Sequence, residues 1–182
     1  MLNFSLQPSL LNILYLSINN FIIFNLIIIY CRANAKIYGV ENRIDFICAD
    51  AYHVLSSLIP QHPCPDKEPG TNGTLDSREK NPLPKVDVVI LAPPWGGPDY
   101  NVCKHFDMRT GFPSGDGLEL IKLALRVSEN VICIFPKNLS KQQLKEFITE
   151  QGDLNGCCYV DEIFLYQKHK MSVIFFGALF MQ

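Results

Sequence analysis

A run from Val86 to Leu91, apolar and largely β-branched apart from Asp87, stops at Ala92-Pro93-Pro94 and continues as Trp95-Gly96-Gly97-Pro98-Asp99-Tyr100. Without sustained polar alternation, such a run predicts a central strand buried on both faces. The two prolines end it, because each lacks an N–H and fixes an extended path. In open α/β sheets ligands bind just beyond the carboxyl ends of the strands, so this stretch stands where chemistry would be done. There the carbonyls of Ala92 and Pro93 are candidates to accept hydrogen bonds from an amine. Trp95, the one tryptophan of the chain, offers a large stacking face, and Gly96-Gly97 lets the backbone approach a flat ligand. The plainer reading of the same residues is a proline-terminated strand whose tryptophan plugs the core.

The stretch resembles the Pro-Pro-aromatic signature of S-adenosylmethionine-dependent methyltransferases acting on exocyclic amines. In its longer form, Pro93 to Tyr100, it is similar to the trimethylguanosine synthase family of RNA cap guanosine-N2 methyltransferases. Further segments fall in that family's order: Arg32 to Tyr38 with Gly39, Ile44 to Asp50, Phe106-Asp107-Met108-Arg109-Thr110, Asp116-Gly117, Phe135-Pro136-Lys137-Asn138 and about the last twenty residues. The resemblance covers residues 31–59 and 84–182. It implies a Rossmann-like α/β methyltransferase sheet with a C-terminal antiparallel hairpin.

The 182 residues, 48% apolar and 19% charged, suit a single globular domain with its own core. A net charge of −2 gives no overall signal for nucleic acid, so any RNA contact must come from a local basic patch. The seven cysteines are odd in number and show no C-x-x-C spacing, which favours free thiols in a reducing compartment. His53, His62, His105 and His169 show no metal-ligand spacing, and no metal is expected.

Residues 1–30 differ from the rest. Leu10 to Tyr30 is almost wholly apolar but is broken by Asn12, Asn19, Asn20 and Asn25. Its length permits a membrane span. No basic residue precedes it and no cleavage pattern follows, which argues against a signal peptide. The expectation is a buried segment, or one foreign to the methyltransferase unit such as a misread exon. A methyltransferase of this class needs a glycine-rich turn under the donor's methionine end and a carboxylate on its ribose. This chain has no glycine before Gly39 and no carboxylate before Glu41. The sheet is therefore expected to lack its first strand and glycine-rich turn, leaving an N-terminally incomplete domain over 31–182.

From Cys31 the patterning is regular. Cys31 to Tyr38 predicts the end of a helix closed by Gly39. Ile44, Phe46 and Cys48 predict a strand running into Asp50, which either caps a helix over Ala51 to Leu58 or accepts a bond from an adenine amine. Residues 60–85, with Pro60, Pro63, Pro65, Pro69, Pro82 and Pro84, read as a disordered insertion. Asp116 with Glu119 predicts a helix N-terminus, Val131 to Phe135 a buried strand, and Ser140 with Gln143 another capped helix. Glu162 to Tyr166, a Lys168-His169-Lys170 turn and Val173 to Phe176 predict a closing hairpin.

The resemblance implies roles for particular residues. Ala92, Pro93 and Pro94 would aim the guanine amine, Ala92 standing where the family usually has serine. Trp95 would stack on 7-methylguanine. Asp50, Ala51 and Pro93 would hold the adenine end of S-adenosylmethionine. Lys137, in place of a family arginine, would meet the cap phosphates, with Arg109 and Lys104 as further cations and Asn34 near the guanine edge. The implied partners are 7-methylguanosine-capped RNA, namely small nuclear and nucleolar RNAs, and ribonucleoproteins; a monomer in the nucleus, its nucleolus or nuclear bodies, with the cytoplasm as a further site and no stable membrane partner, is expected. Two other functions compete: a catalytically dead cap-binding module, and a methyltransferase for another nucleobase amine.

Overall fold

The computed structural model describes residues 13–16, 21–47, 49–59, 86–97, 102–113, 115–152 and 157–181. Five strands make one mixed sheet: β1 (Ile13–Leu16), β2 (Val88–Leu91), β3 (Val131–Pro136), β4 (Cys158–Leu165) and β5 (Lys168–Phe176), in the order β1-β2-β3-β5-β4. β1, β2 and β3 run parallel, and β5 lies antiparallel to both β3 and β4. The carboxyl ends of β2 and β3 therefore open at one edge of the sheet.

The helices are α1 (Phe21–Ile37), α2 (Ala51–Leu58), α3 (Gly117–Val127) and α4 (Lys141–Glu150). Three of them start on the side chains that sequence chemistry assigns to such positions. Asp50 accepts from the N–H of His53, Asp116 from those of Leu118 and Glu119, and Ser140 from that of Gln143. Gly39, at φ +66°, closes α1 in the left-handed conformation that favours glycine. On α3, Leu118, Ile121 and Ala124 recur at helical spacing and are buried with Leu55 of α2, Val89 and Leu91 of β2, and Val131, Cys133 and Phe135 of β3.

Replacing Asp116 with alanine removes both capping bonds and the Arg109 ion pair described below. The expected loss is about 1 kcal/mol, nearly all from the cap, since half-exposed pairs add little. A urea-unfolding midpoint reads it; an unchanged midpoint would mean that the cap is dispensable.

Several expectations change. The boundary read at residue 30 falls inside α1, which is continuous from Phe21 to Ile37. A strand does stand beside β2: Ile13–Leu16 pairs in register with Val88–Leu91. Residues 17–20, between β1 and α1, read Ser-Ile-Asn-Asn and carry no glycine, so the turn remains missing from the sequence there. The strand expected from Ile44 to Cys48 is absent over 44–47, where Ile44 and Ile47 are exposed, and Cys48 lies outside the described residues. A strand needs a hydrogen-bonding neighbour, and β1 fills the place beside β2. The closing hairpin turns at Tyr166-Gln167, while Lys168 to Lys170 already belong to β5. The insertion expected at 60–85 lies outside the described residues.

Among the described residues no helix is long and apolar enough to cross a membrane. The described cysteines, Cys31, Cys103, Cys133, Cys157 and Cys158, are free thiols. Complete burial on β3 holds the Cys133 thiol far above its ordinary range, and burial pushes Cys158 up to about 11. Both are packing residues rather than nucleophiles.

Candidate active site

The loop after β2 passes over the carboxyl edge of the sheet. Pro93 is buried, while Ala92, Pro94 and Trp95 are partly buried. The Trp95 indole N–H donates to the Ile134 carbonyl of β3 at 3.2 Å, and its ring packs against the central core. The indole thus joins the ends of two parallel strands and keeps part of its surface at the edge. It neither stands wholly free nor vanishes into the interior. Gly96 and Gly97 follow at φ +81° and +79°, which explains why the chain needs glycine here. A side chain on Gly96 would touch Gly111 and Pro113, so this loop rests against the one after residue 106.

That second loop is tightly built. Asp107 Oδ1 accepts from the backbone N–H groups of Arg109 at 2.7 Å and Thr110 at 3.2 Å. Chiefly the Arg109 N–H holds the Asp107 carboxyl below its usual range. Its contribution is therefore full above the ordinary carboxylate pKa and is lost as pH falls through the lowered value. The Met108 N–H donates to Gln143 Oε1 at 2.9 Å, which ties the loop to α4. Phe106, Phe112 and Phe135 form a three-ring edge-to-face cluster beneath it, with centroids 5.0 to 6.4 Å apart.

The cations divide. Lys137 is exposed immediately after β3, at the same edge as Trp95. The turn behind it is joined to the Lys104 segment: the Phe106 N–H donates to the Asn138 carbonyl at 2.7 Å and Asn138 Nδ2 to the Cys103 carbonyl at 2.9 Å. Lys104 is exposed there. Arg109 instead pairs with Asp116 through Nη1–Oδ2 at 3.3 Å, so a phosphate would have to compete for it. Asn34 is exposed on α1, which packs chiefly against the turn at 41–43, and the edge geometry does not draw on it.

Asp50 starts α2, with its side chain half exposed and Oδ1 engaged in capping. The second oxygen leaves room for a ligand contact, so the capping and adenine roles do not exclude each other. Ala51 is buried, and Tyr52 fixes this corner by donating its hydroxyl to the Asp116 carbonyl at 2.8 Å. Burial, then the nearby Asp116 carboxylate, raises the Tyr52 pKa and keeps that donor protonated. Two cavities, of about 530 and 460 Å³, lie elsewhere: one beside Arg32, Lys36, Asp45 and Phe46, the other beside Asp87, Arg126 and Asn130. Among the described residues no three His, Cys, Asp or Glu side chains could share a metal ion.

Sequence reasoning missed Gln143 and Tyr52 as supports of the edge. Gln143 was legible only as the partner of a capping serine, although a helix-start glutamine can also reach a neighbouring loop. Tyr52 gave no periodic signal at all.

A parallel core closed by an antiparallel hairpin, with a Pro-Pro-Trp loop at the carboxyl edge, defines a Rossmann-like methyltransferase. The family model described as RNA cap guanine-N2 methyltransferase matches residues 19–179, and the chain belongs to that family. It is similar to the trimethylguanosine synthase of Saccharomyces cerevisiae, with 31% identity over 117 residues. That match covers 64% of this chain and 30% of the yeast protein, so the chain spans less than a third of that relative's length.

Proposed function

We propose that the carboxyl edge formed by Trp95, Pro93-Pro94 and Lys137 binds the 7-methylguanosine cap of RNA and presents its guanine N2 for methylation, as in 2,2,7-trimethylguanosine formation. The observation that carries this reading is the anchoring of the Trp95 indole between the ends of β2 and β3. A ring fixed along one edge loses little entropy on stacking, and a cationic purine adds electrostatic attraction to the stack. The carbonyls of Ala92 and Pro93 accept from the N2 amine and aim its lone pair, which is the alignment that methyl transfer chiefly demands. Ala92 offers no side-chain acceptor there. Lys137 supplies charge to the cap phosphates, without the bidentate fork of arginine.

S-adenosylmethionine, the donor implied by the family, supplies a sulfonium methyl. Asp50 and Ala51 suit its adenine end. No glycine before Gly39 and no carboxylate before Glu41 can serve its methionine and ribose. The residues at hand thus fit half of the donor, and the part of the reaction derived from them is acceptor positioning. A second reading rests on the same acceptor-side residues: a cap-binding module without transfer. The substrates proposed are small nuclear and nucleolar RNAs in a nuclear setting, with ribonucleoproteins as partners.

Calorimetric titration with 7-methylguanosine diphosphate and with S-adenosylmethionine separates these readings. Binding of both supports the methyltransferase. Binding of the nucleotide alone supports the module, and binding of neither overturns the site.

A further inference from the structure

We propose that the β4–β5 hairpin is a second contact for the substrate, a platform that takes the single-stranded RNA chain leaving the cap; this rests on the cap reading above. The register places it. β3 pairs with β5 as far as Pro136 opposite Met171, so Lys168, His169 and Lys170 run on beyond the end of β3. Three residues of β5 reach past the end of β3 by about 10 Å, with only β4 beside them. They do so at the edge that carries Trp95 and Lys137. A register shift between Ile163 and Phe164 adds twist where the overhang begins.

The overhang has the chemistry of a nucleic-acid surface. Lys168 and Lys170 are exposed and make no ion pair among the described residues, and Lys170 is the extra residue of the register shift. Lys141, by contrast, is held by Glu162 at 2.7 Å. Phe164 is exposed and stacks across the hairpin on His169, with centroids 5.1 Å apart and planes 25° from parallel. His169 Nε2 lies 3.0 Å from the Met171 carbonyl, which holds that pair in place. Tyr166 at the tip is 91% exposed, the most open of the large hydrophobic residues among those described. Aromatic faces interleaved with unpaired lysines fit bases and phosphates of a single strand.

The turn itself points the same way. Tyr166 and Gln167 sit at φ +48° and +63°, positions that Asn-Gly fills without strain. An aromatic kept at such a position, fully open to solvent, has no packing reason to be there.

The test exchanges Tyr166→Asn and Gln167→Gly together in the full chain. Thermal melting should show equal or higher stability, since the turn is relieved. Affinity for a capped single-stranded RNA of about twelve nucleotides should fall roughly 5- to 150-fold, the range for one lost base stack. Affinity for 7-methylguanosine diphosphate should stay within about twofold, because the nucleotide does not reach the tip. A Lys168→Ala/Lys170→Ala variant should lower the slope of log affinity against log salt by about 1.4. Unchanged RNA affinity in both variants overturns the proposal, as does RNA-independent self-association that the turn exchange abolishes. Should the parent chain bind the RNA but not the cap nucleotide, and the turn exchange still weaken RNA, the cap reading fails while the platform stands.

Discussion

Replacing Trp95 with alanine is expected to weaken binding of 7-methylguanosine diphosphate roughly 5- to 150-fold, corresponding to about 1–3 kcal/mol of base stacking. The indole also packs against the core and donates to the Ile134 carbonyl, so the same change should lower the unfolding midpoint. Trp95→Phe separates the two roles. It keeps an aromatic face but loses the N–H, leaving the Ile134 carbonyl to water at the edge. Its nucleotide affinity should fall between those of the parent and the alanine variant. Calorimetry on all three proteins checks the order, and equal affinities would reject the stacking role.

Phe135→Ala should be among the most damaging single changes to the fold. Phe135 is 1% exposed and packs edge-to-face on Phe106 and Phe112. Truncation of a buried phenylalanine costs about 3–5 kcal/mol, a large share of the roughly 5–15 kcal/mol that holds a domain of this size together. The loss reaches the edge as well. Phe106 and Phe112 support the loop against which Gly96 rests, so that loop and the Trp95 loop should loosen together. Chemical unfolding measures the first effect and nucleotide affinity the second. Phe135→Leu, which keeps most of the apolar volume, should cost clearly less; equal losses would show that ring geometry, not volume, is what the site needs.

The elements legible in the sequence are those with local causes. The proline stop after Leu91, the caps at Asp116 and Ser140, and the glycine after Tyr38 each act within a few residues, and each stands where it was read. The misread elements depend on partners distant in sequence. Ile44 to Ile47 alternates like a strand, but alternation cannot reveal whether a neighbouring strand is available. β1 carries only apolar side chains, Ile-Leu-Tyr-Leu, and its pairing with β2 is set by the sheet edge rather than by any periodic signal. The hairpin turn was placed on the lysines because Tyr166-Gln167 lacks the glycine or asparagine that marks such turns.

The candidate site was legible in part for the same reason. Trp95 and the prolines announce themselves by residue type. Lys137 and Asp50 could be singled out only through family resemblance, since a lysine after a strand and an aspartate before a helix are ordinary surface features. The pairing of Arg109 with Asp116 was hidden, because the two stand seven positions apart across a loop and only the folded turn at Asp107 brings them together.

Because the chain has one tryptophan, its fluorescence reports on this edge without interference. Titration with 7-methylguanosine diphosphate, and with guanosine diphosphate in parallel, follows the proposed contact between that indole and a positively charged base. The account predicts saturable quenching by the methylated nucleotide and much weaker quenching by the unmethylated one. Equal quenching by both, or none by either, would contradict it.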